Sequence, residues 1–163
     1  VRFKKVKEYR IAVDPGIDFG WSRWHDGTLQ EAHTISAPNH GVGPNEFWEA
    51  VHEQASILAE CAKGCSRAMI EFPAFWDSVG GHTSGRSGAL VKLSLVVGAY
   101  ARAVEMVGCA AQFVEVNTWK GQLPKSVVAA RIQKVLSPKE KQIPIKSHAV
   151  DAVGIGLWWH NRL

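Results

Sequence analysis

A chain of 163 residues has room for one domain and can bury about two thirds of the surface it exposes when unfolded. Neither a disulfide nor a structural metal is then needed to fold it. The composition, 46% hydrophobic and 21% charged, is that of an ordinary globular protein. No apolar run approaches the roughly 18 residues of a membrane span. The opening VRFKKVKEYR lacks the apolar stretch of a secretory leader. We therefore expect a cytoplasmic protein in which Cys61, Cys65 and Cys109 are free thiols. The net charge of +4 is unevenly spread. Residues 1–10 carry five basic side chains against one acidic, residues 11–80 three against ten, and residues 81–163 eleven against four. An acidic stretch joined to a basic one suits a protein that gathers metal ions in one place and holds phosphates around it.

In chain order, residues 9–14 (YRIAVD) predict a buried strand ending in an acid, with Pro15-Gly16 directly after it. Residues 18–24 and 28–36 predict two more strands around the turn His25-Asp26-Gly27. Asn45 is the expected cap of a helix whose apolar positions are Phe47, Val51, Ala55 and Leu58. Residues 67–71 (RAMIE) form a short strand, again ending in an acid, and a glycine-rich loop fills 72–88. Residues 89–107 are apolar almost all round, which predicts a helix buried on more than one side, within the core or at a subunit interface. A strand at 112–116, a helix at 125–136 and a last helix starting near Ser147 complete the order β-β-β-α-β-α-β-α-α. This pattern describes a single α/β domain over 1–163, a mixed sheet flanked by helices.

Strands of such sheets deliver side chains to a crevice at their carboxyl ends. Asp14 and Glu71 each close a predicted strand, so neighbouring strands would bring the two carboxylates together. His148 and Asp151 are three apart at the start of the last helix and share one face. Two strand-end acids and a helical pair make a cage suited to hard divalent cations, of the kind that serve phosphodiester hydrolysis in pairs.

Asp14-Pro15-Gly16 after an apolar strand, Ile70-Glu71, and Ser-His-Ala-Val-Asp-Ala-Val-Gly-Ile-Gly near the C-terminus together resemble the RuvC-type Holliday-junction resolvases. The resemblance takes in the glycine-rich segment and the stretch Phe-Val-Glu-Val-Asn-Thr-Trp-Lys. It implies a ribonuclease H-like fold, a homodimer, dependence on Mg²⁺ or Mn²⁺ with two ions per site, and paired nicks in four-way DNA junctions. It also implies a setting in a bacterium or a phage-infected bacterium. Asp14, Glu71 and Asp151 fall on three catalytic acids of the family. His148 departs from the aspartate that many members carry there. An imidazole adds a ligand that manganese accepts readily, so Mn²⁺ is expected to serve at least as well as Mg²⁺. His148 could instead pass a proton or orient water.

Phe75 and Trp76 either pack on the neighbouring helix or stack on bases at the crossover, as an aromatic of the family does. Arg86, in the same loop, is a candidate for holding phosphate. Lys120 and Lys125 match basic positions that the family uses near the scissile phosphate, Lys120 with a catalytic role. Arg131, Lys134, Lys139, Lys141 and Lys146 make a looser basic face, and the arm 2–10 is a similar candidate. The runner-up reading is a nuclease of the same chemistry that cuts forks, flaps and Y-junctions equally. A junction-binding protein without catalysis is disfavoured by the full set of acids. A nucleotide-binding fragment of the actin/hexokinase type is disfavoured by the chain's length.

Overall fold

The structure, a computed structural model, describes residues 8–38, 41–73 and 88–163. Strands β1 (Tyr9–Asp14), β2 (Phe19–His25) and β3 (Thr28–Ile35) come first, followed by helix α1 (Pro44–Ala62) and strand β4 (Arg67–Phe72). Helix α2 (Ala89–Met106), strand β5 (Ala110–Glu115) and the one-turn helix α3 (Val116–Trp119) come next. Helix α4 (Lys125–Val135), a 3₁₀ turn at Glu140–Gln142 and helix α5 (His148–Trp159) complete the described elements. The sheet order is β3-β2-β1-β4-β5. The first three strands form an antiparallel meander, while β4 and β5 run parallel to β1. This is the mixed, helix-flanked sheet that the sequence predicts.

Between β2 and β3 only Asp26 and Gly27 remain outside the strands, with φ of 49° and 79°. Two residues at positive φ make the tight turn whose twist matches that of the strands it joins. Alternation along β1 then divides the core. Ile11 and Val13 join Val51, Leu58, Val97 and Tyr100 on the face covered by α1 and α2. Ala12 and Met69 join Trp119, Ile132, Val153 and Leu157 on the face covered by α4 and α5. By the same alternation Asp14 and Glu71 turn toward α5. That helix lies close on β2 because residue 20 is glycine: a Cβ there would overlap the His148 carbonyl. Ser22 Oγ donates to the Ala152 carbonyl at 2.8 Å and accepts from Trp24 Nε1 at 2.9 Å, so the seat is also hydrogen-bonded.

Two expectations change. The cap of α1 is Gly43, not Asn45, because Pro44 takes the first helical turn, where its missing N–H costs nothing. Helix α2 is buried along one side only, through Val96, Val97, Tyr100 and Val104. Val91 and Met106 are each 72% exposed and Leu95 is 47% exposed, so of the two settings expected for this helix the single chain realises the core along one face alone. All three cysteines are free thiols, as expected. No helix among the described residues is long and apolar enough to cross a membrane.

Candidate active site

Asp14 is the last residue of β1, and β1 pairs in parallel with β4 up to Val13 and Ile70. The carboxylates of Asp14 and Glu71 therefore come out of adjacent strands on one face, beneath the first turn of α5. His148 opens that helix, and Asp151 lies one turn along it. His148 Nδ1 is 2.9 Å from Asp14 Oδ2. Asp151 is buried and holds two ammonium groups, Lys120 Nζ at 3.4 Å from Oδ1 and Lys125 Nζ at 3.0 Å from Oδ2. Asp14 is thus paired with His148 and Asp151 with both lysines, while Glu71 lies on the strand beside Asp14.

The electrostatics follow from the crowding. Burial pushes the Asp14 carboxyl up to about 6; the hydrogen bond from His148 opposes this and the Asp151 charge adds to it. Burial, reinforced by the charge of Asp14, carries Glu71 up to about 7 against the hydrogen bond from Trp119. Two carboxyls that resist ionisation side by side mark a place where a cation would be welcome. The donor chemistry fits a hard divalent ion held by Asp14, Glu71 and Asp151, with His148 at hand. Among the described residues, however, no three His, Cys, Asp or Glu side chains already converge on a common ligand position. Lys120 and Lys125 instead hold Asp151, and His148 pairs with Asp14.

Ser147, the cap of α5, has φ 50° and ψ −125°, a region that side chains rarely adopt. Thr34 brackets it by donating to the Lys146 carbonyl at 2.8 Å and accepting the Ala149 N–H at 3.1 Å. Sequence reasoning missed this bracket, and it also missed Trp119, whose indole Nε1 donates to Glu71 Oε2 at 2.8 Å. The tryptophan stands in the Asn-Thr-Trp-Lys stretch beside Lys120, but no periodicity marks it as a site residue. Phe75, Trp76 and Arg86 lie outside the described residues. Arg131, Lys134, Lys139, Lys141 and Lys146 are all exposed. Of the basic arm, Arg10 is taken up by Glu8 at 2.8 Å and by the Trp159 ring at 5.0 Å.

No protein-family model and no curated protein matches the chain. Solved structures do. Thermus thermophilus RuvC in complex with a Holliday junction substrate aligns over 92% of this chain and 90% of that one, with a TM-score of 0.62 at 19% identity. A second Thermus thermophilus RuvC structure aligns over 91% of each chain, with a TM-score of 0.59 at 20% identity. The chain thus shares the fold of these two RuvC structures.

Proposed function

We propose that this protein is a divalent-metal-dependent endonuclease that resolves four-way DNA junctions by paired nicks, acting as a homodimer. The observation that carries the proposal is the emergence of Asp14 and Glu71 from adjacent strands beside α5, whose His148 pairs with Asp14 and whose Asp151 is paired with Lys120 and Lys125. A bound Mg²⁺ or Mn²⁺ would supply the Lewis acidity that phosphodiester hydrolysis needs. Asp14, Glu71 and Asp151 are the residues to hold it, with His148 as a fourth ligand. Lys120 and Lys125, paired with Asp151, would turn to the scissile phosphate and offset the charge that builds there. His148 uses Nδ1 on Asp14, so Nε2 is the nitrogen with which it would ligate, or protonate a leaving oxygen. Phe75, Trp76 and Arg86 are proposed to contact DNA at the crossover.

The dimer reading is supported by α2. Its outer side carries the exposed Val91, Leu95 and Met106, and an apolar groove runs between α2 and α1 beside Trp48. An exposed apolar helix face of this kind is a common seam between copies. Two copies about a two-fold axis would present two sites to the two opposed, symmetry-related strands of a junction, which turns two nicks into a resolution.

The test is cleavage of a mobile four-way junction with each strand labelled in turn, in Mg²⁺ and in Mn²⁺. Symmetric paired cuts, abolished in Asp14→Asn while junction binding persists, are expected. No cleavage with either ion would overturn the reading. Equal rates on forks, flaps and four-way junctions would replace it with a general branched-DNA nuclease. Sedimentation of Leu95→Glu checks the seam: a variant as dimeric as the parent would move the interface elsewhere.

A further inference from the structure

Among the described residues, Glu71 is the one acid of the cluster that neither a lysine nor His148 grips. Its side-chain hydrogen-bond partner there is instead an indole. We propose that Trp119 is a positioning residue for Glu71: its N–H, given to Oε2 at 2.8 Å, fixes the carboxylate's orientation and leaves Oε1 as the oxygen offered to the site. The role rests on the metal-dependent reading above.

The route by which Trp119 reaches Glu71 is short. Strand β5 lies beside β4, with Val114 paired to Glu71, and α3 follows β5 without a loop. One turn of helix then returns Trp119 over the neighbouring strand. Trp119 is 6% exposed, packed in the cluster that holds Val128, Ile132 and Val153. The indole therefore cannot swing away from the carboxylate as a lysine or a serine could. Its outer edge rests on Gly154 of α5, where an added Cβ would come within 2.5 Å of ring carbon Cζ3. Glycine at that position thus admits the ring and ties its placement to the helix that carries Asp151.

The donor is also of a fitting kind. An indole N–H is a single, fixed-direction donor that never titrates and never competes as a cation. It favours the ionised carboxylate without neutralising it, which an ammonium group would do. The next residue, Lys120, reaches Asp151, and its Nζ lies 5.6 Å from the Trp119 ring centre. Trp119, the last residue of α3, and Lys120, its C-cap, thereby address two acids on two different elements. Residues that orient a ligating carboxylate through a hydrogen bond typically matter by 10–100-fold in metal affinity.

The test is Trp119→Phe, which keeps an aromatic ring against Gly154 and removes the donor. Mn²⁺ binding, followed by the electron paramagnetic resonance signal of the free ion, should weaken by about 10–100-fold in a variant whose circular dichroism matches the parent. Unchanged affinity in the variant, with the parent binding Mn²⁺, overturns the proposal alone. A parent that binds no Mn²⁺ overturns the metal reading, and this role with it. Should Trp119→Phe fail to fold, the parent carries the test by nuclear magnetic resonance of its seven tryptophan indoles. One indole N–H resonance should move on adding Mg²⁺ and again in Glu71→Gln. Seven resonances indifferent to both would overturn it.

Discussion

His148 Nδ1 stands 2.9 Å from Asp14 Oδ2, so the first residue of α5 is joined to the last residue of β1. This pairing makes the imidazole part of the acid cluster and gives His148→Asp a clear expected effect. Under the proposed metal reading, a carboxylate there would offer a hard ligand in place of a borderline one. The parent should cut at least as fast in Mn²⁺ as in Mg²⁺, and His148→Asp should shift the preference toward Mg²⁺. Titration of both ions in a junction-cleavage assay checks this. A parent clearly faster in Mg²⁺ would count against a metal role for the imidazole.

The raised carboxyls carry a stability cost with a definite sign. Asp14 sits at about 6 and Glu71 at about 7, against ordinary values of 3.8 and 4.5. Each binds its proton more tightly in the folded chain than in the unfolded one. The resulting stability is complete below the ordinary value and is lost as pH rises through the raised one. With divalent ions chelated, stability should therefore fall from about pH 4 to about pH 7 through these two groups. Asp14→Asn removes one of the repelling charges and should be more stable than the parent at about pH 8, by about 1–3 kcal/mol. Urea unfolding of both proteins in chelator is the measurement, and a less stable variant would contradict the electrostatic account.

Glu140 runs the other way. Arg162 donates to its two oxygens at 2.7 and 2.8 Å, and the N–H groups of Leu29 and Ser137 donate at 2.8 Å each. These partners, Arg162 first, hold the carboxyl down at about 2 from an ordinary 4.5. The stability it contributes is present above the ordinary value and is lost as pH falls toward 2. Glu140→Gln should cost about 2–4 kcal/mol at neutral pH and flatten the acid limb of the stability profile. A cost below about 0.5 kcal/mol would show the network to be redundant.

Lys120 and Lys125 share Asp151 but differ in setting. The Lys120 side chain is 19% exposed and that of Lys125 55% exposed. Lys125→Ala should reduce the salt dependence of junction binding by about one ion, with cleavage of bound junction little affected. Lys120→Met should leave binding nearly intact and slow cleavage by about 100-fold or more. Single-turnover cleavage beside salt-titrated binding separates the two, and identical profiles would merge their roles.

Much of this arrangement was legible in the residues. The apolar run before Asp14, the Asp26-Gly27 turn and the His148–Asp151 spacing are local patterns, and each holds in the structure. Asn45 misled because Pro44 beside it has the stronger preference for the first helical turn. Trp119 and Thr34 were invisible for another reason. Their roles depend on partners at separations of 48 and 112 residues, Glu71 for one and the Lys146 carbonyl for the other. No periodicity encodes such meetings. Charge balance suggested cations and acids in one molecule, but not that two lysines would sit on one particular aspartate.

The link between Asp14 and His148 spans 134 positions of sequence. A site assembled from two such distant stretches cannot exist while the chain is still emerging from the ribosome. Strands β1 and β4 can pair early, yet their acids stay without α5 until that helix has been made and has docked on Gly20 and Ser22. Molecules in which α5 is not yet made would therefore carry the sheet without His148 and Asp151. For a protein proposed to break DNA strands, competence therefore waits on the making and docking of α5.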